Sequence, residues 1–141
     1  MAIPFGTEAW ARALTDEING SSEYRNAGAK WGTDFNGNLL FVFEAGQGLP
    51  QGKGLLLRLK GGACSGAEFI DSLSHPEAGF VLRAPFPLWR DILEGRAIAA
   101  TAILTGKMKV EGDKMALLRH TAAHKSLIHC TASVETEFPK G

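Results

Sequence analysis

Apolar residues in the first 30 positions recur with the 3.6-residue period of an α-helix. Thr7 precedes the first of them as a helix N-cap residue, and Gly20 supplies a helix stop. Ser21 or Ser22 then begins a second, shorter helix that ends near Gly28. The sequence therefore predicts two helices, the first with one buried face. The apolar positions of this region are Trp10, Ala13, Leu14, Ile18, Tyr24 and Ala27.

The apolar period changes to two residues in the next part of the chain. Positions 39–44 and 55–60 alternate around a glycine-rich turn, which predicts an antiparallel hairpin. Positions 67–71 predict a third strand and positions 79–84 a fourth. No helix is predicted between about residues 33 and 84.

Helical spacing returns after residue 84. Pro85 and Pro87 suit the start of a helix that ends before Gly95, and a shorter helix covers about 97–104. The predicted apolar positions of the first helix are Leu88, Trp89, Ile92 and Leu93.

A fifth strand and two more helices complete the predicted order. Residues 107–111 alternate strictly, which places Met108 on the inward face of a strand. Asp113 can cap a helix over about 114–120, and a last helix covers roughly 124–131. No repeat or linker divides the chain, so we expect one domain over residues 1–141.

Composition and charge exclude several function classes. Fifteen lysines and arginines balance fifteen aspartates and glutamates, so no overall field favours nucleic acid. Two cysteines are too few for a disulfide framework, and the first ten residues lack the features of a signal peptide, which together predict a cytoplasmic protein. The longest nearly apolar run, 97–104, is far shorter than the roughly 20 residues that span a bilayer.

Two polar patterns are candidates for phosphate or metal binding. The glycine-rich run 46–54 has neither the dinucleotide fingerprint nor the Walker spacing, and no helix follows it, so a hairpin loop is favoured. His120 and His124 are four residues apart with His129 nearby, but no carboxylate or cysteine completes a metal site at a recognised spacing. No metal or other cofactor is therefore predicted.

A third pattern is a candidate catalytic group. Ser65, Ser72 and Ser74 accompany His75 and Asp71. These residues lack the arrangement that activates a nucleophile, such as a Gly-x-Ser-x-Gly elbow. A hydrolase that uses His75 or the His120/His124 pair is kept as an alternative to a non-enzymatic protein.

The apolar residues of the second half allow two interpretations, a filled core or a cavity. Four alanines fall within 97–102, so this segment could leave space as readily as fill it. Flexible methionines would tolerate varied apolar shapes. The residues on predicted inward faces are Phe41, Phe43, Trp89, Ile92, Ile98, Ile103, Met108, Met115 and Leu118.

One stretch of sequence resembles a known family. It runs from Leu88-Trp-Arg-Asp-Ile-Leu-Glu-Gly-Arg96 through the alanine-rich segment to Thr105-Gly-Lys-Met-Lys-Val-Glu-Gly-Asp113 and Met115-Ala-Leu-Leu-Arg119. Gly-Lys-x-Lys-Val-x-Gly-Asp followed by a leucine-rich helix resembles the sterol carrier protein, type-2 (SCP-2) sterol-binding domain family. The peroxisomal signal of some members is missing, and the segment after Glu94 lacks the usual polar spacer.

The resemblance implies an α+β fold with a five-stranded, mostly antiparallel sheet, helices on one face and an apolar tunnel between them. It implies non-enzymatic binding and intracellular transfer of a fatty acid, a fatty acyl-CoA or a sterol-like lipid. Members also present lipid substrates to enzymes or assist isoprenoid-quinone synthesis, which keeps an accessory subunit as the alternative. The expected partners are thus the lipid itself and transient contacts with a membrane or an enzyme.

The expected lipid contacts lie between the sheet and the second-half helices. Cations close to them in sequence, Arg83, Arg90, Arg96 and Lys107, either bind a polar head at the tunnel mouth or are solvated surface charges. The expected lipid-binding residues are Phe41, Phe43 and Met108 on the sheet, and Trp89, Ile92, Ile98, Ala102, Ile103, Met115 and Leu118 on the helices.

Overall fold

The computed structural model describes residues 2–46 and 49–139 and places the helical and extended segments in the predicted order. The helices are α1 (Glu8–Gly20), α2 (Ser22–Ala27), α3 (Phe86–Leu93), α4 (Ala99–Leu104), α5 (Lys114–Arg119) and α6 (Thr121–Ser133). The strands are β1 (Ile3–Pro4), β2 (Leu39–Glu44), β3 (Lys53–Lys60), β4 (Ala63–Ile70), β5 (Phe80–Pro85), β6 (Lys109–Glu111) and β7 (Thr136–Glu137).

Five strands form one mixed sheet in the order β4-β3-β2-β5-β6. β2 and β5 are parallel, whereas the other neighbouring pairs are antiparallel, so the α+β fold with a mostly antiparallel sheet is confirmed. The chain leaves the edge strand β4 and returns to the centre of the sheet beside β2. This crossover puts β5, and the helix that follows it, next to the predicted hairpin.

The two faces of the sheet are buried differently. Leu39, Phe41 and Phe43 of β2 belong to the main core with the helices. Leu40 and Val42, which point the other way, belong to a small separate cluster on the outer face. The helices therefore cover the inner face.

Local capping explains where three helices begin. The Thr7 and Ser21 hydroxyls accept hydrogen bonds from the backbone N–H groups of the residues three positions later, at 3.2 and 3.0 Å. The Asp113 carboxylate does the same for α5 at 3.2 Å. Each side chain satisfies a backbone donor that the first helical turn leaves unpaired, and the predicted caps are confirmed.

Some boundaries differ from the prediction. β4 begins at Ala63 because Gly61 and Gly62, with φ of +61° and +85°, reverse the chain directly after β3. α4 begins at Ala99 because the N–H groups of Arg96 and Ala97 still bond to the Asp91 carbonyl. Strand geometry begins at Lys109, because the Met108 N–H bonds to the carbonyl of Ala102.

Three further differences concern the last helix, the ends of the chain and the glycine-rich loop. α6 begins at Thr121, earlier than predicted. β1 pairs in parallel with β7 in a two-stranded sheet that the sequence did not indicate. In the run 46–54, Gly46 and Leu49 exchange backbone hydrogen bonds, while Gln47 and Gly48 lie outside the described residues.

Candidate functional site

A cavity of about 450 Å³ lies between the inner face of the sheet and the second-half helices. Its volume falls in the range of small-molecule sites, roughly 300–1,000 Å³. The lining residues come from β2, β5, α3 to α6 and the α3–α4 connection. They are Leu39, Phe41, Leu82, Trp89, Gly95, Ala97, Ile98, Ala99, Ala100, Ile103, Leu117, Leu118, Thr121, His124, Lys125, Leu127, Ile128 and His129.

Small residues build one wall of the cavity. Gly95, Ala97, Ala99 and Ala100 all line it, and a Cβ added at Gly95 would meet no atom within 4 Å. Larger side chains at these positions would occupy the space that the sheet and α6 leave open. Of the two interpretations that the sequence left open for 97–102, Ala97, Ala99 and Ala100 lie beside a cavity, whereas Ala102 is part of the filled core.

Aromatic packing forms another part of the cavity lining. The rings of Phe41 and Trp89 pack with centroids 4.6 Å apart, and both line the cavity. Trp89 is fully buried, and its indole N–H donates a 2.8 Å hydrogen bond to the Val42 carbonyl. This bond ties α3 to the central strand, so the position of the ring is defined by the sheet.

Exposed residues border the cavity and mark its mouth. Ile98, which lines the cavity from the N-cap position of α4, is 70% exposed. Thr121, Lys125 and His129 are exposed and lie four residues apart, on one stripe of α6. The His129 imidazole pairs with the Glu23 carboxylate at 2.9 Å. The cavity thus opens between the start of α4 and α6.

His124 is a polar group in the wall of the cavity. Its ring packs edge-on against Trp31 at a centroid distance of 4.5 Å, and its buried Nε2 has no hydrogen-bond partner in the described structure. Burial, with a smaller contribution from the charge of His120, lowers the pKa of His124 to about 4. The imidazole is therefore neutral at pH 7.

This buried imidazole predicts a loss of stability in mild acid. Between pH 6.5 and about 4 the unfolded state binds more protons at His124 than the folded state does, so stability falls as the pH falls through this window. Relative to a His124→Gln variant, the wild type should lose on the order of 2 kcal/mol between pH 7 and pH 5. Urea unfolding at both pH values measures this difference, and parallel pH profiles would contradict it.

The predicted lipid-binding residues fall into three groups. Phe41, Trp89, Ile98, Ile103 and Leu118 line the cavity. Phe43, Ile92, Ala102 and Met108 are buried in the core but are not among the lining residues. The inward position predicted for Met115 is wrong, because Met115 is 59% exposed. The buried side of α5 is formed by Ala116 and Leu117 instead.

The cations near the cavity are not those considered from the sequence. Arg90 and Arg96 form ion pairs with Glu94, at 3.0 and 2.6 Å, and neither they nor Arg83 nor Lys107 line the cavity. Lys125 does line it. Thr121, Lys125 and His129 are four residues apart, and this spacing in the sequence could have indicated that Lys125 lies on the same face of a helix as two other lining residues.

The other serines and histidines singled out in the sequence make hydrogen bonds or ring contacts with nearby residues. His75 Nδ1 accepts a hydrogen bond from the Glu77 N–H, and the Ser72 hydroxyl donates to the Ser74 carbonyl. His120 and His124 both pack against Trp31. Among the described residues, no group of three or more histidines, cysteines or carboxylates is placed to hold a metal ion.

Comparison with known proteins identifies the family. The model of the SCP-2 sterol transfer family matches residues 8–124, which is most of the chain. The chain belongs to this family. The recognition made from the Gly-Lys-x-Lys-Val-x-Gly-Asp stretch is therefore confirmed, and SCP-2 membership supports lipid or sterol binding and transfer as the general function.

Solved structures agree with the SCP-2 assignment. A crystal structure of sterol carrier protein 2 is 29% identical, with a TM-score of 0.82 over 92% of this chain and 98% of that chain. A conserved hypothetical protein from Thermus thermophilus, described as possibly a sterol carrier protein, is also 29% identical, with a TM-score of 0.79 over 97% of this chain and 94% of that one.

A UbiJ-SCP2 ubiquinone synthesis protein is 14% identical, with a TM-score of 0.53 over 94% of this chain and 96% of that chain, and shows the shared fold. The sequence matches no curated protein. In the described part of the chain, no helix is both long and apolar enough to cross a bilayer.

Proposed function

We propose that this SCP-2 protein is a non-enzymatic carrier that binds one apolar lipid in the cavity and transfers or presents it inside the cell. The observation that carries the proposal is the 450 Å³ cavity with its largely apolar lining. This lining includes the Phe41–Trp89 pair and the alanines at positions 97, 99 and 100. Family membership supports it independently. The proposal includes two expectations from the sequence, that the cavity is an apolar tunnel and that the protein is cytoplasmic.

The chemistry of the lining favours an acyl or isoprenoid chain as the buried part of the ligand. Burial of about 14 methylenes at roughly 0.8 kcal/mol each contributes about 11 kcal/mol. Lost translational and rotational freedom removes roughly 4 kcal/mol or more of this on association. The expected dissociation constant is therefore about micromolar.

The polar end of the ligand belongs at the mouth. The charged or polar lining residues, Thr121, Lys125 and His129, lie on the exposed stripe of α6, while the neutral His124 lies in the wall. A carboxylate or phosphate at the mouth would have Lys125 as a cationic partner. The proposal thus covers fatty acids and fatty acyl-CoA as well as sterol-like lipids.

Titration of delipidated protein with a fluorescent fatty-acid probe tests the proposal. Saturable one-to-one binding without turnover is expected, and displacement by palmitate, palmitoyl-CoA, a sterol or a quinone orders the lipid classes. A Lys125→Gln variant should lose affinity for palmitate but keep its affinity for a sterol. Absence of saturable binding by folded protein would contradict the carrier function and leave the accessory-subunit alternative.

A further inference from the structure

His129 borders two pockets at once. It lines the apolar cavity, and it also lines a second pocket of about 390 Å³ that is formed mostly by polar residues of α1, α2 and α6. Glu23, in the first turn of α2, lines only the second pocket. The imidazole of His129 therefore lies at the boundary between apolar and polar surroundings, where a bound lipid has its polar end on the proposed carrier function.

Glu23 determines which nitrogen of the His129 ring carries a proton. A carboxylate oxygen of Glu23 lies 2.9 Å from Nδ1 of His129. This hydrogen bond is the largest of the causes that lower the pKa of Glu23 below its usual value, so the carboxyl is ionised at neutral pH. An ionised carboxylate can only accept hydrogen bonds, so Nδ1 is the donor. In the neutral imidazole, Nε2 is then left as an acceptor.

This acceptor is available to a ligand. Among the described residues, Glu23 alone forms a side-chain hydrogen bond or an ion pair with the His129 imidazole, and the His129 side chain is 56% exposed. Lys125, one helical turn earlier on the same stripe, also lines the cavity and offers only donors. The mouth thus presents one acceptor beside one group of donors.

We infer that Nε2 of His129, held as an acceptor by Glu23, accepts a hydrogen bond from a hydroxyl group at the polar end of the bound lipid. The inference rests on the proposed carrier function. A hydroxyl group can donate to Nε2 and accept from the Lys125 ammonium group at the same time, whereas a carboxylate or an ether can only accept. His129 therefore distinguishes hydroxylated lipids from other lipids, and Glu23 is a positioning residue.

NMR of the ¹⁵N-labelled full chain without ligand tests the role of Glu23. Long-range ¹H–¹⁵N correlations show which imidazole nitrogen carries the proton, and in the neutral ring of His129 we expect the proton on Nδ1. Glu23→Gln should reduce this preference, because a glutamine amide can donate to Nδ1 as well as accept from it. A neutral wild-type ring with its proton on Nε2 would overturn the inference.

Glu17→Gln is the matched control for Glu23→Gln. Glu17 is an exposed residue of α1 that lines the same polar pocket, but the His129 imidazole bonds to Glu23 and not to Glu17. The control therefore removes the same charge from the same pocket and should keep the proton on Nδ1. An equal change of the His129 spectrum in both variants would show that the charge of the pocket, and not the hydrogen bond, sets the tautomer.

Displacement of the fluorescent fatty-acid probe tests the contact with the ligand. Tetradecanol and its methyl ether have the same apolar chain, but only the alcohol can donate a hydrogen bond to Nε2. At pH 8 the wild type should prefer the alcohol by about threefold to tenfold, as expected for one hydrogen bond. This preference should be lost in His129→Phe, reduced in Glu23→Gln and kept in Glu17→Gln.

Failure of this contact and failure of the carrier function give different results. Wild-type protein that binds the probe but prefers the alcohol no more than His129→Phe does would refute the hydroxyl contact and leave the carrier function standing. Folded wild-type protein that binds no probe would refute the carrier function and the hydroxyl contact together, whichever nitrogen of His129 carries the proton.

Discussion

Ala100→Trp is expected to weaken lipid binding at least 100-fold while the protein stays folded. Ala100 lines the cavity and is only partly buried, so the indole can occupy the cavity without displacing core residues. Exclusion of even four methylenes, at about 0.8 kcal/mol each, removes about 3 kcal/mol of binding energy, or more than 100-fold in affinity. The fluorescent fatty-acid titration measures this directly.

The position of this substitution comes from the structure. The sequence pointed to Ala102, which is 4% exposed in the core and does not line the cavity, so a tryptophan there would overpack the core. Ala9→Trp is the matched control, because Ala9 is exposed on α1 and does not line the cavity. Affinity within about threefold of the wild type for a folded Ala100→Trp protein would place the lipid outside this cavity.

Trp89→Ala is expected to lower the free energy of unfolding by about 3–5 kcal/mol, as large-to-small core substitutions do. The ring is fully buried against Phe41 and Phe43, with centroids 4.6 and 5.2 Å away. Trp89→Phe keeps most of the packing but leaves the buried Val42 carbonyl without its 2.8 Å hydrogen bond, which costs about 1–3 kcal/mol. Urea unfolding measures both variants.

Trp31→Phe separates stability from binding. Trp31 is fully buried and donates an equivalent 2.8 Å hydrogen bond to the Gly37 carbonyl, but it does not line the cavity. Trp31→Phe should therefore lose about 1–3 kcal/mol of stability and keep its lipid affinity, while Trp89→Phe changes both. An unfolding free energy of Trp89→Phe equal to that of the wild type would show that the Val42 hydrogen bond contributes nothing.

Local signals explain which predictions were confirmed. Thr7, Ser21 and Asp113 cap their helices through side chains that bond to backbone only three residues away, so the sequence around each position contains all the necessary information. Alternation in 55–60 likewise predicts a strand from neighbouring residues alone.

A continuous apolar run explains the error on the short helix α5. Met115, Ala116, Leu117 and Leu118 are consecutive on α5, so periodicity could not show that Met115 is the exposed one. In the run Leu39–Phe43 the alternate positions do separate as expected, because Phe41 and Phe43 face the main core while Leu40 and Val42 face the outer cluster.

The sequence by itself determined the order of the six helices and of the five strands of the main sheet, and the caps of α1, α2 and α5. Through the stretch around 105–113 it also determined membership in the SCP-2 family. Only the tertiary structure decided the parallel pairing of β2 with β5, the outline of the cavity and the position of its mouth on α6. The physical reason is distance along the chain. The cavity is lined by Phe41, Trp89 and Lys125, which are far apart in the sequence. Only the packing of the helices on the sheet brings these three residues to one cavity.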